Sequence, residues 1–331
     1  MAPRMGQKIK LLYLVDILKR YTDEEHPMSA TEICSMLEEN GVTAERKAIY
    51  NDIEVLIQYG FDIICTRVPK NGYFLASREF ELPEIYLLAD AVRSAKFISA
   101  KKTRELLKKL DGMLSLYQAK KRDKNIFFDS SKCTNEEIYY IIDGINTAIE
   151  EGRKITFEYS IRTLCENREI KPKRKMMKVS PYAMTWQDDH YYLIANYEKY
   201  DNLLHLRVDR MHSVEVTDEK SRHFSEVSDY TEQFDIADYT NRLFQMHGGS
   251  VEDIELRCNK NLMEQVVDRF SENIFVRDVT DTHFTFGVKA AVSEGLISWI
   301  VSYGGDIKVL YPESLKQGVI DRAKQILGVY Q

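Results

Sequence analysis

The sequence predicts an α+β protein of several domains, helical at first and strand-rich later. Three observations carry that reading. Apolar residues recur at helical spacing as far as Gly152, interrupted once by a short hairpin signal. From Lys154 the hydrophobic period falls to two, and beyond Ser250 strand and helix patterns alternate. The 331 residues are 44% hydrophobic and 30% charged, as in a folded, soluble chain with room for roughly two to four domains.

Residues 8–21, rich in Leu, Ile and Val, read as a first helix. Ser29-Ala-Thr-Glu32 has the pattern of a capping box, with Ile33, Met36 and Leu37 behind it. Gly41 offers a left-handed stop, and Thr43 is placed to cap the next helix. In that helix Ile49, Ile53, Leu56 and Ile57 mark an inner face, while Arg46, Lys47, Tyr50, Asn51 and Glu54 mark the outer one. Two short helices joined by about four residues around a Gly have the geometry of a helix-turn-helix. Residues 61–66 and 73–76 read as strands, with Asn71-Gly72 as the turn signal between them. Three helices and a hairpin make a winged helix-turn-helix. Its third helix can enter a major groove, where Lys and Arg contact phosphate or guanine and Asn reads adenine. Thr43, Arg46, Lys47, Tyr50 and Asn51 are the candidate DNA-binding residues, with Lys70 and Asn71 at the wing tip. Residues 1–75 nevertheless hold nine Lys/Arg against eleven Asp/Glu, so a protein-interaction winged helix stands as the other reading.

Glu81-Leu-Pro83-Glu opens a further helix with an apolar stripe at Ile85, Leu88, Ala89, Val92 and Ala95. Another helix is expected over 101–117 and a loop over 125–135. Residues 93–124 carry eleven Lys/Arg and three Asp/Glu, which fits a solvated connector, a DNA-backbone contact or a dimer spacer. A helix from Asn135 to about Gly152 places Ile138, Ile141, Ile142, Ile145 and Ile149 inside. Strands follow over 154–159, 169–172, 175–184, 191–197, 203–208 and 214–216, with Asp188-Asp189 as a hairpin turn. So many short strands predict a small barrel or a strongly bent sheet. Residues 153–178 hold nine Lys/Arg and three Asp/Glu, and basic residues on such strands can line an anion-binding surface.

The stretch VSPYAMTWQDDHYYLIANYEKYDNLLHLRVDRMHSVEV, residues 179–216, resembles the core of a WYL domain. Tyr191-Tyr192-Leu193 stands at the Trp-Tyr-Leu signature, with Tyr in place of the Trp. Ser180-Pro-Tyr182 before it and Arg207-x-Asp209-Arg210 after it also fit the pattern. The resemblance is to WYL-domain transcriptional regulators, which place a winged helix-turn-helix first, the WYL domain in the middle and a small extension last. It implies an Sm-like barrel that binds a ligand, either a nucleotide or single-stranded nucleic acid. The candidate ligand residues are Tyr182, Tyr191, Tyr192, His205, Arg207 and Arg210. Tyrosines stack on bases, and His and Arg donate to phosphate. His205 and Arg207 lie two apart on one strand and so point the same way, while Tyr192 points away from Tyr191 and Leu193. The structural alternative is that the aromatics are core and that Arg210 pairs with Asp209 or another acid.

Residues 213–256 hold eleven Asp/Glu and three Lys/Arg, and residues 223–238 read as an irregular linker. Beyond Ser250, strands over 251–258, 274–279, 282–290 and 307–311 alternate with helices over 261–270, 293–303 and 312–327. This βαββαβ order predicts a ferredoxin-like module. Trp299, with SYGGDIKVLYPESL after it, resembles the extension that follows WYL domains, and its spacing from Leu296 marks it as a core residue. The expected division is therefore 1–76 winged helix-turn-helix, 77–135 helical connector, 136–220 WYL sensing domain, and 221–331 acidic linker with the C-terminal extension.

No nucleotide loop, zinc-protease motif or nucleophile elbow is present, and the seven histidines are dispersed. No enzymatic activity, cofactor or metal is expected. His247-Gly-Gly249 is too short to mark a phosphate loop. The five cysteines are scattered singly, without zinc-ligand spacing or a disulfide framework. The N-terminus lacks an apolar signal core and no apolar run nears 18 residues, so a cytoplasmic location without a membrane partner is expected. The reading that follows is a ligand-responsive regulator acting as a homodimer on double-stranded operator DNA and sensing an anionic ligand. The alternative is a nucleic-acid or nucleotide sensor that does not select a DNA site.

Overall fold

A computed structural model describes residues 6–123, 132–166, 168–272 and 274–331. The chain divides into two units, Met1–Glu136 and Glu137–Gln331. The first begins with α1 (Gly6–Tyr21), α2 (Ala30–Glu39) and α3 (Arg46–Tyr59), followed by a hairpin of β1 (Ile63–Thr66) and β2 (Gly72–Leu75). Leu14, Leu18, Ile33, Leu37, Ile49, Ile53, Ile63 and Leu75 close one core among these elements. The capping box forms as expected: the Ser29 N–H donates to Glu32 Oε2 at 2.7 Å, and the Glu32 N–H donates to Ser29 Oγ at 3.3 Å.

Three local expectations change. Thr43 does not cap α3. The link occupies residues 40–45 because Val42 turns inward, its N–H bonded to the Leu37 carbonyl, and the chain then runs extended to Glu45. Ile57 is 47% exposed, because it lies about 80° around the helix from Ile49. Gly72 is not a turn residue but the first residue of β2. The Met28 backbone sits against it, so an added Cβ would lie 2.7 Å from the Met28 carbonyl carbon. Met28 and Tyr73 exchange backbone hydrogen bonds at 2.8 and 2.9 Å there.

The connector contains α4 (Leu82–Ser94), α5 (Ala100–Asp111) and α6 (Leu116–Asp123). The single helix expected over 101–117 is broken after Asp111. Ser115 restarts it, its hydroxyl accepting the Gln118 N–H and its N–H donating to the Gln118 side chain. Most of the loop expected over 125–135 lies outside the described residues.

The second unit opens with α7 (Ile138–Glu151), which ends at left-handed Gly152. A five-stranded antiparallel sheet follows, made of β3 (Arg153–Leu164), β4 (Ile170–Gln187), β5 (His190–Asn196), β6 (Leu203–Arg207) and β7 (Met211–Lys220). The strand order is β6-β5-β4-β3-β7. Chain neighbours β6 and β7 thus form opposite edges, joined only by the turn Val208–Arg210. A connection that short requires the sheet to curl until its edges adjoin. Phe157, Leu193, Val208 and Met211 are fully buried. The two strands expected over 169–172 and 175–184 are one strand, because the β3–β4 ladder runs without a break from Ile155↔Val179 to Leu164↔Ile170.

Residues 221–249 are more than a linker. They carry the short helix α8 (Ile236–Arg242), and their Val227, Leu243 and Met246 pack with Ala183 and Ile194 of the sheet. The remaining elements are β8 (Ser250–Asn259), α9 (Met263–Phe270), β9 (Phe275–Arg277), β10 (His283–Val292), α10 (Glu294–Ser302), β11 (Ile307–Tyr311) and α11 (Glu313–Tyr330). Their sheet has the order β11-β8-β10-β9, antiparallel throughout. Phe284, Phe286, Leu296, Ile300 and Leu315 form its core, and half-buried Trp299 packs edge-on to Phe270 at 5.5 Å.

Gly295 in α10 lets the Phe244 carbonyl approach closely; an added Cβ would lie 2.2 Å from that oxygen. Alanine in a helix ordinarily gains about 1 kcal/mol over glycine. Gly295→Ala is expected to do the reverse and destabilise the chain by about 1–3 kcal/mol. Urea unfolding of the variant checks the sign.

Candidate functional site

In the first unit, Arg46, Lys47, Tyr50 and Asn51 all lie exposed on α3, opposite Ile49 and Ile53. The Arg46 guanidinium donates to the Tyr50 hydroxyl at 3.2 Å. Thr43 is exposed in the link before the helix, and Asn71 at the end of the wing. Lys70 is less available: its Nζ lies 2.6 Å from Glu32 Oε1, and this bond lowers the Glu32 pKa to about 2. The pair is half-exposed and contributes under about 1 kcal/mol.

In the second unit, strand register decides which candidates meet. Thr185, Tyr192 and Arg207 are direct neighbours across β4, β5 and β6, as are Ala183, Ile194 and His205. Alternation places both rows on one face of the sheet. Tyr191 pairs with Trp186 and shares the opposite face with fully buried Leu193. Of the two signature tyrosines, then, Tyr192 joins His205 and Arg207, and Tyr191 does not. Tyr182 sits at a bulge in β4 and packs against Phe224 and Phe234 at 6.4 and 6.3 Å. Burial pushes its hydroxyl pKa up to about 12. It belongs to the aromatic packing between the sheet and the 221–249 segment.

His205 and Arg207 already have partners. His205 Nε2 lies 2.9 Å from the Tyr239 hydroxyl of α8. The ring also bonds to the Met246 backbone, and because that bond favours protonation, Met246 is the acceptor. Burial holds the ring's pKa down at about 4 despite the Met246 bond. The expectation of a histidine donor to phosphate thus meets a buried ring held neutral, its Nε2 engaged by Tyr239. Arg207 forms a fork with Asp209, Nε to Oδ1 at 3.0 Å and Nη2 to Oδ2 at 2.7 Å. Burial of the guanidinium opposes its charge, but this bond keeps its pKa above the ordinary value. Asp209 is thus gripped by Arg207. Arg210 instead lies against the Tyr159 hydroxyl, which also accepts the Arg207 N–H at 3.1 Å.

Beside this face is a groove of about 850 Å³, whose lining includes Leu203, His205, Tyr230, Tyr239, Met246 and Gly248. Sequence reasoning missed Tyr230 and Tyr239. The available signal was the run of aromatics Phe224, Tyr230, Phe234 and Tyr239 inside a stretch taken for a linker. The Tyr230 hydroxyl donates to Asp238 at 2.6 Å, and Arg242 bonds the same carboxylate, so α8 is braced internally.

Two family models match this unit: residues 140–216 match the WYL domain, and residues 250–327 match the WCX domain. The chain carries a WYL domain and a WCX domain. His205, Arg207 and Tyr192 thus lie within the WYL domain, while Tyr230, Tyr239 and Met246 belong to the segment that joins it to the WCX domain. Among solved structures the chain is similar to the proteasome accessory factor B/C (PafBC) of Arthrobacter aurescens, at 16% identity and a TM-score of 0.28. That match covers 96% of this chain and 51% of PafBC, so the chain spans about half the length of that protein. No curated protein matches. Among the described residues no helix is long and apolar enough to cross a membrane, and no cluster of His, Cys, Asp or Glu could hold a metal ion.

The depressed His205 pKa has a thermodynamic consequence. The unfolded chain takes up the proton near pH 6.5, whereas the folded chain does so only near pH 4. The contribution of the neutral ring is fully present above pH 6.5 and falls away toward pH 4, by up to about 3 kcal/mol. The wild type is expected to lose more stability than His205→Gln across that window. Paired urea titrations at several pH values check the difference.

Proposed function

We propose that this chain is a DNA-binding transcriptional regulator whose WYL domain senses an anionic ligand, a nucleotide or single-stranded nucleic acid, and changes operator affinity. The observation that carries the reading is domain order. A unit of three helices and a hairpin, with Arg46, Lys47, Tyr50 and Asn51 turned outward, precedes a WYL domain and a WCX domain in one chain. We read the first unit as a winged helix-turn-helix, the curled sheet as an Sm-like barrel and the last sheet as ferredoxin-like. Arg46 and Lys47 support the DNA assignment in a further way. They occupy the first turn of α3, the positive end of the helix dipole, where cations are unfavourable unless an anion is bound nearby. The regulator works as a homodimer, because two copies read paired half-sites. It is cytoplasmic and carries out no catalysis.

The sensing step follows from the partners of Arg207 and His205. An anionic ligand competes with Asp209 for the Arg207 fork and with Tyr239 for His205. The second bond ties β6 to α8, so a ligand that displaces it favours an arrangement with α8 released. Differential affinity of this kind typically couples two sites by about 1–3 kcal/mol. The weak charge of residues 1–75 and the neutralisation of Lys70 by Glu32 favour a second reading, a nucleotide or nucleic-acid sensor whose winged helix binds protein.

The test is binding of the full chain to its own promoter across a salt series, with and without nucleotides and short single-stranded DNA. Arg46→Glu/Lys47→Glu is expected to remove the preference for the operator over unrelated duplex while effector binding stays intact. Wild-type protein with effector binding but no site preference would establish the sensor reading instead. Arg207→Ala is expected to weaken effector binding at least about tenfold. Asp209→Asn, which frees the guanidinium, is expected to tighten it. Unchanged effector affinity in both variants would remove Arg207 from the site.

A further inference from the structure

The β3–β4 hairpin extends well beyond the sheet that roots it. Pairing of β3 with β7 stops at Tyr159↔Met211, and pairing of β4 with β5 begins only at Ser180↔Asn196. Residues 160–164 and 170–174 therefore pair only with each other, and all but half-buried Ser160 are exposed. This two-stranded ribbon has both edges and both faces free of the rest of the sheet. An isolated ribbon of that kind is marginal in water and gains from a surface that covers it.

Its charge indicates which surface that is. Residues 160–175 carry six Lys/Arg and two Asp/Glu, a net of +4. Lys171, Lys173 and Lys175 alternate along β4 and so share one face, opposite Thr163, Ile161 and Tyr159 respectively. Successive lysines stand about 6.6 Å apart along the strand, twice the ~3.4 Å axial spacing of charges on one DNA strand. Lys171 pairs with Glu169 at 2.9 Å, both side chains exposed, and Lys175 lies over the Tyr197 ring at 5.9 Å. Among the described residues no acid pairs with Lys173 or with Arg162 of the other face. A second copy of the ribbon would bring the same positive charge against it, so a symmetric ribbon-to-ribbon contact is disfavoured.

We infer that this ribbon is a second nucleic-acid contact, separate from α3 and from the Arg207 face, which grips the phosphate backbone of duplex DNA without reading sequence. A two-stranded β-ribbon fits the major groove in width, and a basic ribbon contributes phosphate contacts that position a protein without specifying a site. Exposed Leu164 and Ile170, opposite one another at the distal end, are covered when the ribbon lies in the groove.

The experiment is binding of the full chain to a labelled duplex of arbitrary sequence between about 50 and 200 mM salt. Lys171→Ala/Lys173→Ala/Lys175→Ala is compared with the charge-conserving Lys171→Arg/Lys173→Arg/Lys175→Arg and with Arg46→Glu/Lys47→Glu. The alanine variant is expected to lower the slope of log K against log salt by about 2–3, at roughly 0.9 per lost phosphate contact, with unchanged thermal unfolding. The arginine variant is expected to keep the wild-type slope. An alanine variant with wild-type affinity and slope would overturn the inference and leave the operator reading standing; the lysines would then only guard exposed strand edges. A loss confined to single-stranded DNA would also overturn it. If Arg46→Glu/Lys47→Glu keeps its operator preference while the alanine variant loses slope, the assignment of Arg46 and Lys47 to operator contact fails and the ribbon assignment holds.

Discussion

The turn Val208–Arg210 is the constraint on which the candidate sensing site depends. It joins strands on opposite edges of a five-stranded sheet, so the sheet can satisfy it only by curling. Curling brings the end of β6 onto β3, where the Tyr159 hydroxyl accepts the Arg207 N–H, and it folds Asp209 back under the Arg207 fork. Buried Val208 opens this turn and buried Met211 follows it, so the apolar core and the ion pair fix the same few residues. In the proposed sensing step this ion pair is the partner that an incoming anion replaces: the guanidinium is already oriented by Asp209.

Curling leaves the opposite face of β4–β6 to be covered, and the 221–249 segment covers it. Its aromatics and Met246 remove water from His205, and this desolvation holds the ring neutral. The same contacts make the histidine a mechanical link between β6 and α8 instead of a source of charge. The WCX domain joins this packing through Ala291, so the two domains share a small core across the joining segment.

In the first unit the balance is reversed. The apolar core of α1–α3 is ordinary, and interest lies in charge placed against local preference. Two cations stand at the start of α3, where the helix dipole opposes them, whereas Lys70 at the wing is already neutralised by Glu32. The acidic excess of residues 1–75 is an average that conceals the cationic pair Arg46 and Lys47 at the start of α3.

The sequence by itself determined the elements whose signals are local. The Ser29 capping box, the left-handed stop at Gly41, the helix end at Gly152, the inner faces of α3 and α7 and the alternating strands of the WCX domain all rest on neighbours within a few residues. The outward set on α3 and the shared face of His205 and Arg207 were legible for the same reason, since helical and strand periods fix them. Tertiary structure decided what those side chains touch. The Asp209 fork, the bond from Tyr239 to His205 and the role of Gly72 as a seat for Met28 join segments whose proximity no periodicity encodes. Residues 221–249 looked like a linker because their aromatics follow neither period. Their order comes from the curled sheet beneath them, which exists only once the whole second unit has folded.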